Sequence, residues 1–464
     1  MNERVEHDSL GDVKVPGERY YGAQTARSLA NFAIGTERMP IDMIRALALV
    51  KKSAALANKS LGLLRVEQAN LIVKTADEII GGEWDAEFPL KVWQTGSGTQ
   101  TNMNVNEVIA NRAAELTRQP MGGHQPLHPN DDVNKSQSSN DVFPSAMHVA
   151  AVEALHRDLI PTVTGLRNTL VNKSKAFNKV LKTGRTHLMD AVPLTLGQEF
   201  SGYAQQLKAG LERVFATLPR LYEIPLGATA VGTGLNTHPK FAALAVAHIK
   251  EFTSKPFVCS RNRFEALAAH DALVELHAAL KVLAVSLIKI ANDIRWMASG
   301  PRCGLTEITI PANEPGSSIM PGKVNPTQAE ALVMVATQVM GNDVTVSLAG
   351  ASGNFELNVC KPVIIYNVLQ SIRLLSDACR SFNEKCVAGI TPNQNKLDEN
   401  IRDSLMLATA LTPKIGYESA ARAVQMAAEQ NISLKQAVTE LGFLKAEEFD
   451  ALIRPEHLTK PQLS

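Results

Sequence analysis

Residues 273–294 read LVELHAALKVLAVSLIKIANDI. Within them Leu273, Leu276, Leu280, Leu283, Leu287, Ile290 and Ile294 follow at spacings of three and four without a break. That is the period of one helix face. Val274, Ala278, Val282 and Val285 make a second apolar row beside it, so the helix needs neighbours on several sides. Extended from about Phe264 to Met297, it would be on the order of 50 Å long. Two more unbroken series have the same period. One is Ile365, Val368, Ile372, Leu375, Cys379, Phe382 and Cys386; the other is Phe200, Tyr203, Leu207, Leu211, Val214 and Leu218. A fourth, Val149 to Leu170, is bent or interrupted at Pro161, which lacks a backbone donor. Long helices of this kind pack as bundles at shallow angles. The expected fold is all-α: an elongated central helical bundle with smaller, mainly helical N- and C-terminal domains. The two rows also point to subunits associating through the bundle. Cys379 and Cys386 fall on core positions and are expected to be packing residues.

Outward from the centre the pattern weakens. Residues 1–40 are turn-rich. Helical patterns follow at about 41–60 and 65–81, then a polar loop from Trp93 to Asn104 and a helix to about Arg118. Residues 120–134 are loop-like. Past Thr391-Pro392-Asn393 the helices become short, at about 396–408, 416–430, 433–441 and 446–453. The expected domains are 1–137, 138–393 and 394–464. The chain is 45% hydrophobic with a net charge of +1, so it can bury a large core and offers no basic face to nucleic acid. Its five cysteines are widely spaced with no C-x-x-C, which favours a reducing compartment over a disulfide framework. Met1 to Gly11 is polar and acidic, unlike a secretory or transit segment. No apolar run approaches the length of a membrane span. A cytoplasmic protein, with neither nucleic acid nor membrane as partner, is expected.

Four polar islands interrupt the helices. The first is Thr95-Gly96-Ser97-Gly98-Thr99-Gln100-Thr101-Asn102. It lacks the Gly-Lys-Ser/Thr ending of a phosphate loop and no strand pattern precedes it, but its hydroxyls and N–H groups suit a carboxylate. The second holds His128-Pro129-Asn130-Asp131-Asp132 and then Ser136-Gln137-Ser138-Ser139-Asn140-Asp141, with Asn140 or Asp141 as the N-cap of the helix that follows. His124 and His128 with Asp131 invite a metal reading, but prolines spoil a helical ligand face and H-E-x-x-H is absent, so no metal is expected. The third is Thr183-Gly184-Arg185-Thr186-His187-Leu188-Met189-Asp190, read as a loop before a helix near Thr195. The fourth runs from Gly316 through Ser317, Ser318, Lys323 and Val324 to Asn325 and Pro326. Asn325 reads as an N-cap, Pro326 as the first helical residue, with Gln328 in a capping box and Glu330 just inside the helix. Helix N-termini offer unpaired N–H groups and partial positive charge. Converged, the islands make a pocket for a small, multiply charged anion. No Ser-His-Asp order or Cys-His pairing is evident.

In order, the islands resemble the three signature regions of the fumarase/aspartase superfamily, over nearly the whole chain, and are most similar to the class II (iron-independent) fumarate hydratases. Aspartases carry Gln where this chain has His187 and Ala where it has Gly322, and Pro326-Thr327-Gln328-Ala329-Glu330 is also fumarase-like. The resemblance implies a homotetramer sharing one helical bundle, with each active site built from three chains. It implies reversible hydration of fumarate to (S)-malate, a citric acid cycle step, without metal or organic cofactor. Ser97, Gly98, Thr99, Ser138, Ser139, Asn140, Thr186, Ser318, Lys323, Val324 and Asn325 would bind the carboxylates. Ser317 would be the base at C3, and His187, paired with Glu330, would serve the water. His128, Pro129, Asn130 and Asp131 would line a second dicarboxylate site. Two positions depart from the pattern: Met189 stands where Gln is common, and Gln125-Pro126 stand where basic residues are usual, which weakens the second site.

The chemistry accounts for these residue types. Removing a proton beside a carboxylate creates a dianionic aci-carboxylate, and each preorganised donor aimed at it supplies about 3 kcal/mol. Lys323, Asn325 and neighbouring N–H groups suit that task. Hydroxide leaves only with a proton, which an imidazole can deliver near neutrality. Serine needs help to become a base, from the lysine and local N–H groups. The alternatives are an ammonia-lyase acting on aspartate, against which His187 stands, and a non-catalytic structural or adaptor protein, which has no use for four polar islands.

Overall fold

The structure, a computed structural model, describes residues 3–461. The outermost residues of the expected N- and C-terminal domains lie outside the described residues. Among the described residues the chain is 63% helical, with only short two-stranded ladders, so the all-α expectation holds. It divides into two compact units. One comprises Met1–Pro161, Glu212–Ala284 and Thr337–Ser376; the other comprises Thr162–Leu211, Val285–Ala336 and Asp377–Ser464.

Every residue of the leading row, Leu273 to Ile294, is 0% exposed. The helix is shorter than expected. Asp271–Met297 is preceded by a separate turn of helix, Arg263–Ala268, capped by the Asn262 side chain. Ala269 is extended (φ −122°, ψ 147°) and ends it. His270 is buried, and its carbonyl accepts the first N–H groups of the long helix. The other long helices are Leu196–Leu221, Thr327–Gly350 and Lys361–Lys385. Cys379 and Cys386 are buried as expected, and burial pushes both thiols up to about 12. The helix broken by Pro161 runs Ser139–Ala154, then a wide π-helical turn Leu155–Leu159, then Ile160–Ala176. The wide turn accommodates the missing donor.

In the first unit, Ile41–Ser60 packs against Val66–Gly81, Ser139–Ala154 and Phe241–Thr253. Residues 3–16, expected to be turns, form a hairpin of Glu3–Asp8 with Gly11–Pro16. The side-chain pattern of the first strand is inverted: Val5 is 62% exposed while Glu6 is 5% exposed, held by Arg4 and Asn111. A strand that turns its charges inward shows no apolar alternation. The helix expected after Asn104 starts at Thr99, so Thr101, Asn102 and Asn104 are buried helical residues. In the second unit, the Tyr203 hydroxyl donates to Asp293 at 2.9 Å and joins two long helices. The C-terminal helices have a core of their own, with Leu407, Leu411, Leu434, Val438 and Phe449. Thr327–Gly350 is long and apolar enough to cross a membrane by length and composition alone, as the core helix of a water-soluble fold also can be. Its Asp343 is buried against His277 and Lys281.

That contact belongs to a Ser-His-Asp constellation with no counterpart in the sequence reading. His277 Nδ1 lies 3.1 Å from Asp343 Oδ1 and Nε2 lies 2.9 Å from Ser371 Oγ. All three are buried, and Ser371 Oγ also accepts from Asn342 at 3.0 Å. The set is a structural network between helices. Burial holds His277 below the ordinary histidine pKa, against the opposing pull of Asp343. The unfolded chain therefore binds the extra proton first as pH falls through about 6.5, and stability drops with it by up to about 1.4 kcal/mol per pH unit. Between pH 7 and 5.5 the melting temperature should fall more steeply for the native protein than for His277→Gln. Equal slopes would show that His277 takes no part.

Candidate active site

The first two islands lie on the first unit. Gly98 sits at φ +80° before the Thr99–Leu116 helix. A Cβ there would come within 2.2 Å of the Phe143 ring, and one on Gly96 would meet the Val359 carbonyl. The backbone thus closes tightly, and Ser97 Oγ and Thr99 Oγ1 stand 2.8 Å apart at the helix start. The Gln94 side chain accepts from Thr101 N and Oγ1, fixing the loop. In the second island the N-cap is Ser138, not Asn140 or Asp141. Its hydroxyl accepts from Asn140 N at 3.2 Å, and Asp141 Oδ1 accepts from Ser138 N at 2.9 Å. Asp141 has moved to the third position of a capping box. Its other oxygen takes the N–H groups of Gly227 and Thr229, each at 2.9 Å. Burial raises its pKa, and these N–H groups and Lys51 oppose that. Asn140 Nδ2 donates to Ala230 O at 2.8 Å. A cavity of about 190 Å³ opens beside Ser138, lined also by Gln137, Thr229, Ala230 and Asn236.

The third and fourth islands lie on the second unit. The third is a hairpin, Leu181–Thr186 with Met189–Thr195, not a loop. Its turn is His187-Leu188, at φ 57° and 62°. A two-residue hairpin turn with both central φ positive favours Asn-Gly; His-Leu there is strained and presents the imidazole at the tip. Below it, buried Glu307 holds Arg185 at 2.7 Å and lies 3.7 Å from Lys182. In the fourth island the Asn325 side chain is not the helix cap. It donates to Gly316 O at 2.6 Å while Gly316 N donates to Lys323 O at 2.7 Å, pinning the loop at its base. The Pro326 carbonyl receives the first helical N–H groups, so the helix starts at Thr327. Gln328 accepts from Asn313 at 2.7 Å instead of joining a capping box. Ser317 Oγ accepts from Ile319 N at 3.2 Å and Met320 N at 3.0 Å. Ser318, Lys323 and Val324 are exposed. Hydrogen bonds of this kind favour the ionised form of the group that accepts them.

The comparisons with known proteins fit this geometry. A family model described as "Lyase" matches residues 11–341, and one described as "Fumarase C C-terminus" matches residues 407–460. The chain is 60% identical to "Fumarate hydratase class II" of Neisseria meningitidis, covering 100% of both chains. It is 54% identical to the protein of that name from Bacillus subtilis, again over 100% of both. The chain belongs to the class II fumarate hydratase family. A solved class II fumarase from Schistosoma mansoni superposes with a TM-score of 0.96 at 44% identity, covering 99% of each chain. Membership makes the protein a hydro-lyase.

Ser97, Gly98, Thr99, Ser138, Ser139 and Asn140 lie at two helix N-termini of one unit. Thr186, His187, Ser317, Ser318, Lys323, Val324, Asn325 and Glu330 belong to the other. Among the described residues, the ion-pair partner of Glu330 is Arg295 at 3.9 Å, so its pairing with His187 is not made within one chain. His128, Pro129, Asn130 and Asp131 form a wide turn whose N–H groups at Asn130 and Asp131 both bond to His128 Nδ1, each at 3.2 Å. A fumarate hydratase with this cavity also presents Thr229, Ala230 and Asn236, which the sequence reading passed over. Their signal was a further glycine-rich stretch, Gly227-Ala228-Thr229-Ala230-Val231-Gly232-Thr233-Gly234-Leu235-Asn236. Gly98→Ala should be severe, because a left-handed φ costs a side chain about 1–2 kcal/mol before the overlap with Phe143 is added. A lower urea midpoint and lower activity are expected; an unchanged midpoint would show that the loop can admit a side chain.

Proposed function

We propose that this member of the family interconverts fumarate and (S)-malate, a citric acid cycle reaction, with Ser317 as base, His187 as the group serving water, and helix-end donors holding both carboxylates. The observation that carries the reading is Ser317 Oγ receiving two backbone N–H groups in a loop that also bears Lys323. Those donors and the ammonium favour an alkoxide able to take the C3 proton of malate. The electron pair becomes the aci-carboxylate, held by Lys323, Asn325 and N–H groups. Hydroxide then leaves C2, protonated by His187, whose ring Glu330 orients. Hydration runs the same steps backwards. Ser97, Thr99, Ser138, Ser139, Asn140, Thr186 and Ser318 bind carboxylate oxygens. The scheme asks for no Lewis acid and no organic cofactor. His128 to Asp131 would take a second dicarboxylate, weakly, given Gln125-Pro126.

A homotetramer through the long helices is part of the proposal. Val285 is 50% exposed in the single chain, as are Met334 at 68%, Val344 at 60% and Leu348 at 67%. An assembly around these helices would cover that surface. One site would then take its islands from three subunits, which supplies the His187–Glu330 pairing. The free cysteines fit a reducing cytoplasm.

Purified protein given malate should generate the ultraviolet absorbance of fumarate, also in the presence of a chelator. Turnover of aspartate instead would favour the ammonia-lyase reading. His187→Asn and Ser317→Ala should each lower kcat by about 10²–10⁴ with a smaller change in KM. Mixed, partly unfolded and reassembled, the two dead variants should recover roughly one quarter of native activity, since each site draws its His and Ser independently. No recovery despite demonstrated subunit exchange would place both groups on one chain.

A further inference from the structure

Lys51, in the Ile41–Ser60 helix, is 0% exposed. A lysine there is out of place unless something uses it. Its ammonium donates to Asn134 Oδ1 at 2.8 Å and Gln137 Oε1 at 3.0 Å. Asn134 Oδ1 also receives Asn102 Nδ2 at 3.1 Å and Asn106 Nδ2 at 3.2 Å. Asn102 Nδ2 in turn donates to Ser139 Oγ at 3.2 Å. The row thus runs from a buried cation through two amides to a hydroxyl of the second island.

An ammonium can only donate, whereas an amide can present either end. Lys51 thus holds the Asn134 oxygen toward the cation, in the same sense as the donation of Asn134 Nδ2 to Gln137 O at 3.2 Å. That oxygen can bond Asn102 only through the Asn102 NH₂ group. The same NH₂ group reaches Ser139, and Asn102 Oδ1 is left buried without a partner among the described residues. With its oxygen already accepting, the Ser139 hydroxyl has its proton free to donate outward. Turned the other way, Asn102 would accept that proton and the hydroxyl would face a carboxylate with lone pairs.

We propose that Lys51 is a positioning residue for substrate binding, setting the direction of the Lys51–Asn134–Asn102–Ser139 row so that Ser139 donates to a substrate carboxylate. The inference rests on the reading of Ser139 as a carboxylate contact. Asp141 is the carboxylate whose charge acts on Lys51, and it acts on the buried Lys361 as well. Burial brings Lys51 down to about 7. A neutral amine keeps N–H donors but gains a lone pair, so substitution, which removes the nitrogen altogether, is the cleaner probe.

The test is a double-substitution cycle in the full-length enzyme, read as KM for malate. Lys51→Met keeps the length and removes the donors. It should raise KM by about tenfold, the order expected for losing a hydrogen bond to a charged group, with kcat within about threefold. Ser139→Ala should raise KM similarly, and the double variant should be no worse than Ser139→Ala alone. Asn102→Leu should give the same pattern, and it carries the cycle if Lys51→Met fails to fold. Effects that multiply in the double variant, or a fall in kcat with KM unchanged, would overturn the positioning role while leaving Ser139 as a substrate contact. An unchanged KM in Ser139→Ala would instead remove the contact itself, and the inference with it.

Discussion

A helix with one unbroken buried row and a second apolar row left partly bare sets the terms for this molecule. Leu273 to Ile294 are fully buried, while Val282 and Val285 remain exposed in the single chain. The neighbouring helix leaves Met334, Val344 and Leu348 open in the same way. Such surface is costly in water. Helices whose middles are committed to packing leave the polar work to their ends. Helix N-termini are also where unpaired N–H groups collect. The same constraint that builds the bundle therefore delivers anion-binding ends.

Polar groups kept inside this framework are tied in several directions at once. Asp141 caps one helix and holds the Gly227–Thr229 backbone. Glu307 holds the strand just before the His187 turn through Arg185. His277 joins Asp343 to Ser371 between helices. Leaving any one partner alone in such a place costs more than the bond gives, since the orphan stays dehydrated. These groups sit under the islands or between the long helices, and they hold exposed functional groups on buried anchors.

What the sequence revealed follows from that division. Periodicity showed the long helices because burial enforces it, and the islands showed as gaps in periodicity. Where burial was polar, the pattern misled. The first strand of the hairpin at residues 3–16 hides Glu6 and exposes Val5, so that strand has no apolar alternation. Thr101, Asn102 and Asn104 are a buried helix start that reads as a polar loop. The turn at His187-Leu188 lacks the Asn or Gly that would announce a hairpin. Ser138 took the cap because Asp141, three residues on, could close the box and still reach Gly227 and Thr229. That long-range demand is invisible in local sequence. Likewise Asn325 bonds across its own loop to Gly316 and leaves the helix start to the Pro326 carbonyl.

The two serines of the proposed site show how environment divides one chemistry into two roles. Ser139 receives one N–H, from an amide whose direction a buried cation fixes. If it faces a substrate carboxylate, ionising its hydroxyl would set two negative charges together, so it keeps its proton and donates it. Ser317 receives two backbone N–H groups on a loop that carries a lysine and no carboxylate between Gly316 and Asn325. Charge developing on its oxygen meets donors instead of another anion. Hydroxyl pKa follows what faces the oxygen, so in the proposed site one serine would serve as a donor and the other as a base without any difference in side chain. A lysine or histidine in either place would bring a fixed preference for charge. Serine is neutral by default, and the backbone around it assigns the role.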